Sequence, residues 1–138
     1  MNGRVANGIA PSNSRPMGRK GSEKSGLIER RIVDICNAIP IHFVIADGIF
    51  PMEGNGPLAG SPRHLGKLVL ADDSVAADAT CARLMGLAPE HTNRIRAAAM
   101  FVGNSSAKFI DMLGEALSPP ERRFHLVKEF LHLYSDHV

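Results

Sequence analysis

From Leu27 onward, apolar residues return at helical intervals. Leu27, Ile28, Ile32, Ile35, Cys36 and Ile39 follow an i, i+4, i+7, i+8 pattern, with Arg30, Arg31 and Asp34 on the other side. The pattern predicts an amphipathic helix ended by Pro40, while seven glycines and prolines within 1–26 leave an irregular lead-in. Ile41–Ala46 is rich in β-branched and aromatic residues and closes at Asp47-Gly48, which reads as a buried strand followed by a turn. Lys67–Ala71 reads as a second strand. Asp72-Asp73-Ser74 then offers N-cap chemistry to a helix over about 75–85, which Gly86 is placed to stop.

Between these two strands, residues 48–66 hold five glycines and three prolines and read as a long structureless loop, a feature that is usually functional or disordered. Pro89 opens a further helix to about Phe101, closed by Gly103. Lys108–Leu113 fits either a third strand or a short helix. Glu121–Tyr134 places Phe124, Val127, Leu131 and Tyr134 on one face and predicts a last helix. Strands alternating with helices imply an α/β layered fold, with a mixed or mainly parallel sheet flanked by helices, in a single domain over 27–138.

Composition sets bounds on function. A chain of 138 residues, 44% apolar and 22% charged, is an ordinary globular domain, and no apolar run is long enough to span a bilayer. With no secretion signal visible either, the expected location is cytoplasmic. Two cysteines, Cys36 and Cys81, cannot supply the four thiolates of an iron-sulfur cluster, so this chain alone is not expected to bind one. The net charge of +2 hides an asymmetry: residues 1–31 carry seven basic and two acidic side chains. No aromatic residue stands among those basic positions to stack on a base, so a nucleic-acid partner is not expected.

The candidate chemistry lies around the strand ends. In open α/β sheets ligands bind beyond the carboxyl ends of parallel strands. Asp47 and Asp73 follow the two strands, Glu53 and Asn55 sit in the glycine-rich loop, and Asp78 interrupts the alanine-rich stretch 75–82. Parallel strands would bring Asp47 and Asp73 to one edge; antiparallel strands would separate them. Asp78, on a helix with few polar faces, calls for a partner: Ser74, Arg83, a loop amide, a metal ion or a ligand. Three or four such oxygens would suit a hard divalent cation, and loop amides at Gly48, Gly54, Gly56 and Gly60 would suit an anionic small molecule. Each residue also has a structural reading: Asp47-Gly48 is a common turn pair, Asp73 a good N-cap, Glu53 a solvated loop residue.

Two phosphate-loop resemblances fail. Gly60-Ser-Pro-Arg-His-Leu-Gly66-Lys67 has the wrong spacing for a P-loop and leads into a strand, and Gly54-Asn-Gly56-Pro-Leu-Ala-Gly60 lacks the spacing and helix of a dinucleotide site. The six histidines are scattered, and Cys36 and Cys81 lie on apolar helix faces, where cysteine acts as a small hydrophobe. No serine or cysteine stands in a nucleophile motif.

The strings Val44-Ile-Ala-Asp-Gly48, Met52-Glu-Gly-Asn-Gly-Pro57, Gly60-Ser-Pro62, Asp73-Ser-Val-Ala-Ala-Asp78 and Arg83-Leu-Met-Gly-Leu87 together resemble the family called domain of unknown function 362. Asn7-Gly8-Ile9 and Ile32-Val-Asp-Ile35 extend the likeness over roughly residues 5–115. Members of that family often carry ferredoxin-type iron-sulfur modules, and their domains are longer than this chain. The resemblance therefore implies a C-terminal portion of an incomplete domain, with an open sheet edge. It also implies a homo-oligomer or a separately encoded iron-sulfur partner. A true site predicts that Asp47, Glu53, Asp73 and Asp78 converge; an interaction module or fragment predicts that they scatter.

Overall fold

The computed structural model describes residues 20–118, 120 and 122–135, with side chains from Gly26 on. The first 19 residues of the basic lead-in lie outside the described set. Helix α1 runs Lys20–Ala38, beginning seven residues before the apolar periodicity does. Gly21 and Gly26 do not stop it, because a glycine inside a helix costs only about 1 kcal/mol.

After the helix comes one long antiparallel ribbon. Strand β1 (Val44–Gly48) pairs with β4 (Lys67–Ala71), and between them β2 (Met52–Asn55) pairs with β3 (Ala59–Pro62). The two ladders are nested. They are joined by the Arg63 amide donating to Pro51 O (2.8 Å) and by the Leu65 and Gly66 amides donating to Ile49 O (3.0 and 3.1 Å). The expected loop 48–66 is thus mostly a hairpin, and β1 and β4 are antiparallel because a hairpin can join them in no other sense. The α/β combination of helices and strands holds, but the expectation of parallel strands does not.

Helix α2 (Ser74–Leu84) forms where its capping residues place it and packs on the β1–β4 ladder. Its small residues Val75, Ala76, Ala77, Ala79 and Ala82 are buried and let the backbone approach closely. Along β1 and β4 the exposure alternates: Val44, Ala46, Val69 and Ala71 are half-buried, while Ile45, Leu68 and Leu70 on the other face stand open. Pro89 opens a single 3-10 turn, Pro89–His91, and helix α3 (Asn93–Ala98) follows, so the expected continuous helix is broken at Thr92. Val33 of α1, Val75, Ala79 and Ala82 of α2, Leu87, and Ile95 and Ala98 of α3 form the core cluster.

Two segments differ from their periodicity. Lys108–Leu113 forms neither a strand nor an α-helix: a 3-10 turn at Ala107–Phe109 is followed by irregular chain. Where the sequence predicts a helix over 121–134, residues 122–127 form no regular element and a 3-10 stretch, Lys128–Leu133, follows, with residue 121 outside the described set. The backbone of this segment is bound elsewhere. The Ala88 amide donates to Leu133 O (2.9 Å), the Ser135 amide to Gly86 O (3.2 Å) and the Phe124 amide to Met85 O (3.2 Å). The Tyr134 hydroxyl donates to Phe124 O (2.8 Å) and accepts from the Leu126 amide (3.3 Å). Tertiary hydrogen bonds have taken the groups that an isolated helix would have paired internally.

Candidate functional site

Asp73 joins three parts of the chain. Its Oδ1 accepts the amides of Val75 (2.7 Å) and Ala76 (3.0 Å), capping α2, and its Oδ2 accepts the Asn104 amide (2.7 Å). Gly103 lies against this carboxylate so closely that a Cβ there would come within 2.8 Å of all three carboxyl atoms, well short of van der Waals contact. Asn104 continues the link, donating from its side chain to Phe109 O (2.8 Å) and accepting the Ser106 amide (3.0 Å). Both oxygens of Asp73 are therefore committed to holding the 103–109 segment on the start of α2.

Glu53 performs a similar task at the other end of the ribbon. Its side chain is 12% exposed; Oε1 accepts from Arg122 (2.7 Å), Oε2 accepts the His125 amide (3.0 Å), and Arg63 Nη1 lies 3.6 Å away. Gly54 follows with φ +88°, a left-handed conformation that glycine adopts without strain, and its amide donates to His125 O (2.8 Å). Arg63 stacks its guanidinium 4.4 Å above the Phe124 ring and donates to Arg122 O. Across the hairpin Gly54 pairs with Gly60, where a Cβ would run into the Met52 side chain. The glycines serve close packing within the hairpin and against residues 122–125.

The Arg122 hydrogen bond and then the His125 amide hold the Glu53 carboxyl below its usual 4.5; burial opposes them and the charges of Arg122 and Arg63 assist. A group whose pKa is lowered by folding adds stability above its unfolded value, and that stability is lost as the pH falls through the folded value. Replacing Glu53 by Gln is accordingly expected to lower the melting temperature at pH 7 and to flatten its fall below about pH 4.5. Melting curves of both proteins across pH 3–7 test this; parallel acid limbs would remove the role assigned to Glu53.

The remaining candidates stand apart. Asp47 is exposed and accepts the Ile49 amide at 2.9 Å, closing the turn after β1. It lies opposite Leu68, whereas Asp73 follows the far end of β4, so roughly 15 Å of ribbon separates the two carboxylates. Asn55 is exposed at the end of β2. Asp78, expected to be buried and to need a partner, instead occupies the outward side of α2 with its side chain 56% exposed, and Arg94 of α3 approaches to 3.9 Å. Among the described residues no three His, Cys, Asp or Glu side chains gather where they could share a metal ion. Burial, and then the charge of Asp78, push the Cys81 thiol up, which keeps it protonated.

One open space remains beside these anchors. A cleft of about 1050 Å³ runs along all five residues of β4 but none of β1, so it follows the edge of β4 that no strand among the described residues pairs with. Its other walls are α2 at Ala76, Thr80 and Leu84, and the 109–118 segment, whose Glu115 forms an ion pair with Lys67 at the start of β4. In the sequence Gly103 reads only as a helix stop and residues 122–125 only as part of a helix, and nothing there singles out Asn104. Arg122 lies 69 positions from Glu53, and only folding shows that the two meet.

Relatives place these features in context. A thylakoid-associated protein of Synechocystis is 38% identical over 58 residues, which is 42% of this chain but 18% of that protein, so the chain corresponds to less than a fifth of that relative's length. No solved structure matches. The model of the family described as Domain of unknown function (DUF362) matches residues 4–83, the stretch that contains the whole ribbon, the Asp73 cap and nearly all of α2. The match stops short of the 109–118 wall and of the residues that latch onto Glu53. With more than half of its length and its central ribbon–helix unit inside that match, the chain belongs to the DUF362 family.

Proposed function

We propose that this chain is a docking module whose cleft beside β4 receives an extended segment of a partner protein. The observation that carries the reading is the edge of β4, unpaired among the described residues, facing a cleft of about 1050 Å³. An edge strand presents a row of backbone donors and acceptors, and adding a strand to it is a recurrent way of binding peptides. The apolar side chains Phe43, Leu68, Leu70 and Phe109 line the space and would contact alternate residues of the incoming strand. The scatter of the carboxylates supports the same reading, since Glu53, Asp73 and Asp47 each complete a structural bond to the backbone. A redox role with an iron-sulfur partner fits this scheme as one identity for the docked protein.

Selection of displayed random heptapeptides against the purified chain tests the proposal. The expected binders alternate apolar and polar residues, and they lose at least tenfold in affinity when Leu70→Asp is introduced into β4. Binders indifferent to that substitution, or none at all, would overturn the docking role. The cation reading is checked on the same material: millimolar magnesium, calcium or manganese is expected to leave the melting temperature unchanged. A rise abolished by Asp47→Asn or Asp78→Asn would restore a metal site, because a ligand of the folded state must stabilise it.

A further inference from the structure

The exposed side of α1 carries a pattern that neither the core nor the β4 cleft uses. Ile28, Ile32, Ile35 and Ile39 are spaced by four, three and four residues and are 59%, 37%, 57% and 59% exposed. Ile39 directly follows the last helical residue and stays in line with the others, its amide donating to Ile35 O (3.0 Å). At 100° per residue the four side chains fall within an arc of roughly 60°. Val33, which ties α1 to the core beside α3, points about 130° away from that arc. The helix is thus held by one face and presents a second, wholly aliphatic ridge that the other described residues leave exposed.

Alternating steps of three and four are the spacing by which one helix packs its side chains into the holes of another. We infer that this ridge is a self-association seam, on which α1 of a second copy of the chain packs. The ridge is its own complement. In an antiparallel pairing Ile28 meets the partner's Ile39 and Ile32 meets the partner's Ile35, giving a two-fold isologous contact. Glu29, Arg30, Arg31 and Asp34 lie outside the aliphatic arc, so closing the seam buries no charge.

The area suits a reversible dimer. Covering about 100 Å² of each isoleucine in both copies, together with flanking stems such as that of Arg31, buries on the order of 1,000 Å² in total. That lies at the lower limit of specific interfaces and implies a dimer that dissociates on dilution.

Sedimentation velocity of the full chain over a series of concentrations is the test. The mass is expected to rise from that of one chain toward that of two, and the Ile28→Glu/Ile35→Glu variant is expected to stay at one chain with its melting temperature retained. Should that variant fold poorly, Ile35→Gln changes one exposed side chain with little change of shape and is expected to weaken dimerisation at least tenfold. A single-chain mass at every concentration would overturn the inference, and so would a dimer that persists in both variants. Neither result bears on the β4 cleft, which the peptide selection examines separately.

Discussion

Replacing Phe124 by Ala is expected to cost about 3–5 kcal/mol, a large part of the roughly 5–15 kcal/mol that holds a typical domain folded. Phe124 has no exposed surface and is the largest fully buried side chain among the described residues. Its ring lies under the Arg63 guanidinium, its amide bonds Met85 O and its carbonyl accepts the Tyr134 hydroxyl. Truncation leaves a cavity and removes the surface on which Arg63 rests, while Arg63 still has to remain beside Glu53. Chemical denaturation should show the loss, with Phe124→Leu costing markedly less and the half-exposed Phe130→Ala close to nothing. Equal effects at positions 124 and 130 would contradict the placement of residues 122–126 as an anchored strap.

The second large effect is expected at the pair Asp73 and Gly103. Asp73→Ala removes the cap of α2 and leaves the Asn104 amide without its acceptor, for a combined cost of about 2–4 kcal/mol. Gly103→Ala should cost about 1–3 kcal/mol for a different reason, since the added methyl occupies the space of the Asp73 carboxylate. The two losses should not add. Once Asp73 is truncated the methyl at 103 has room, so the double variant is expected to be little worse than Asp73→Ala, a coupling of about 1–3 kcal/mol in a double-mutant cycle. Strict additivity would mean that Gly103 is required for its backbone conformation and not for the close approach.

These two sites divide the legible part of the sequence from the hidden part. Asp73 was readable as an N-cap because the interaction is local: a short acidic side chain before an apolar helical run finds the amides two and three positions on. Its bond to Asn104 was not, because it spans 31 positions. Asp78 misled for a related reason. An alanine-rich helix can bury nearly every side and still leave one narrow strip to solvent, and only the positions of the ribbon and α3 show that Asp78 occupies that strip.

The glycine-rich stretch shows the same limit from the other direction. Gly54, Gly60 and Pro62 argue against strands when each is weighed alone, yet Gly54 faces Gly60 across the hairpin and Pro62 closes its end opposite Met52. A cross-strand pair of glycines is favourable only when both are placed together and Met52 fills the space above Gly60. Without that hairpin the sequence leaves the direction of β4 open, and with it the separation of Asp47 from Asp73.

What the sequence determined by itself was whatever depends on neighbours within about one helical turn or one strand: helix α1 from its apolar period, strand β4, the cap and stop of α2, and the family strings along the ribbon. The tertiary structure alone decided the antiparallel closure of the ribbon, the strap of residues 122–135 in place of a helix, the bonds of Glu53 to residues 122–125 and of Asp73 to Asn104, and which edge stays unpaired among the described residues. The physical reason is the same in each case. A hydrogen bond or packing contact between distant residues depends on loop closure and on competition for the same donors and acceptors, and neither is recorded in the local order of residues.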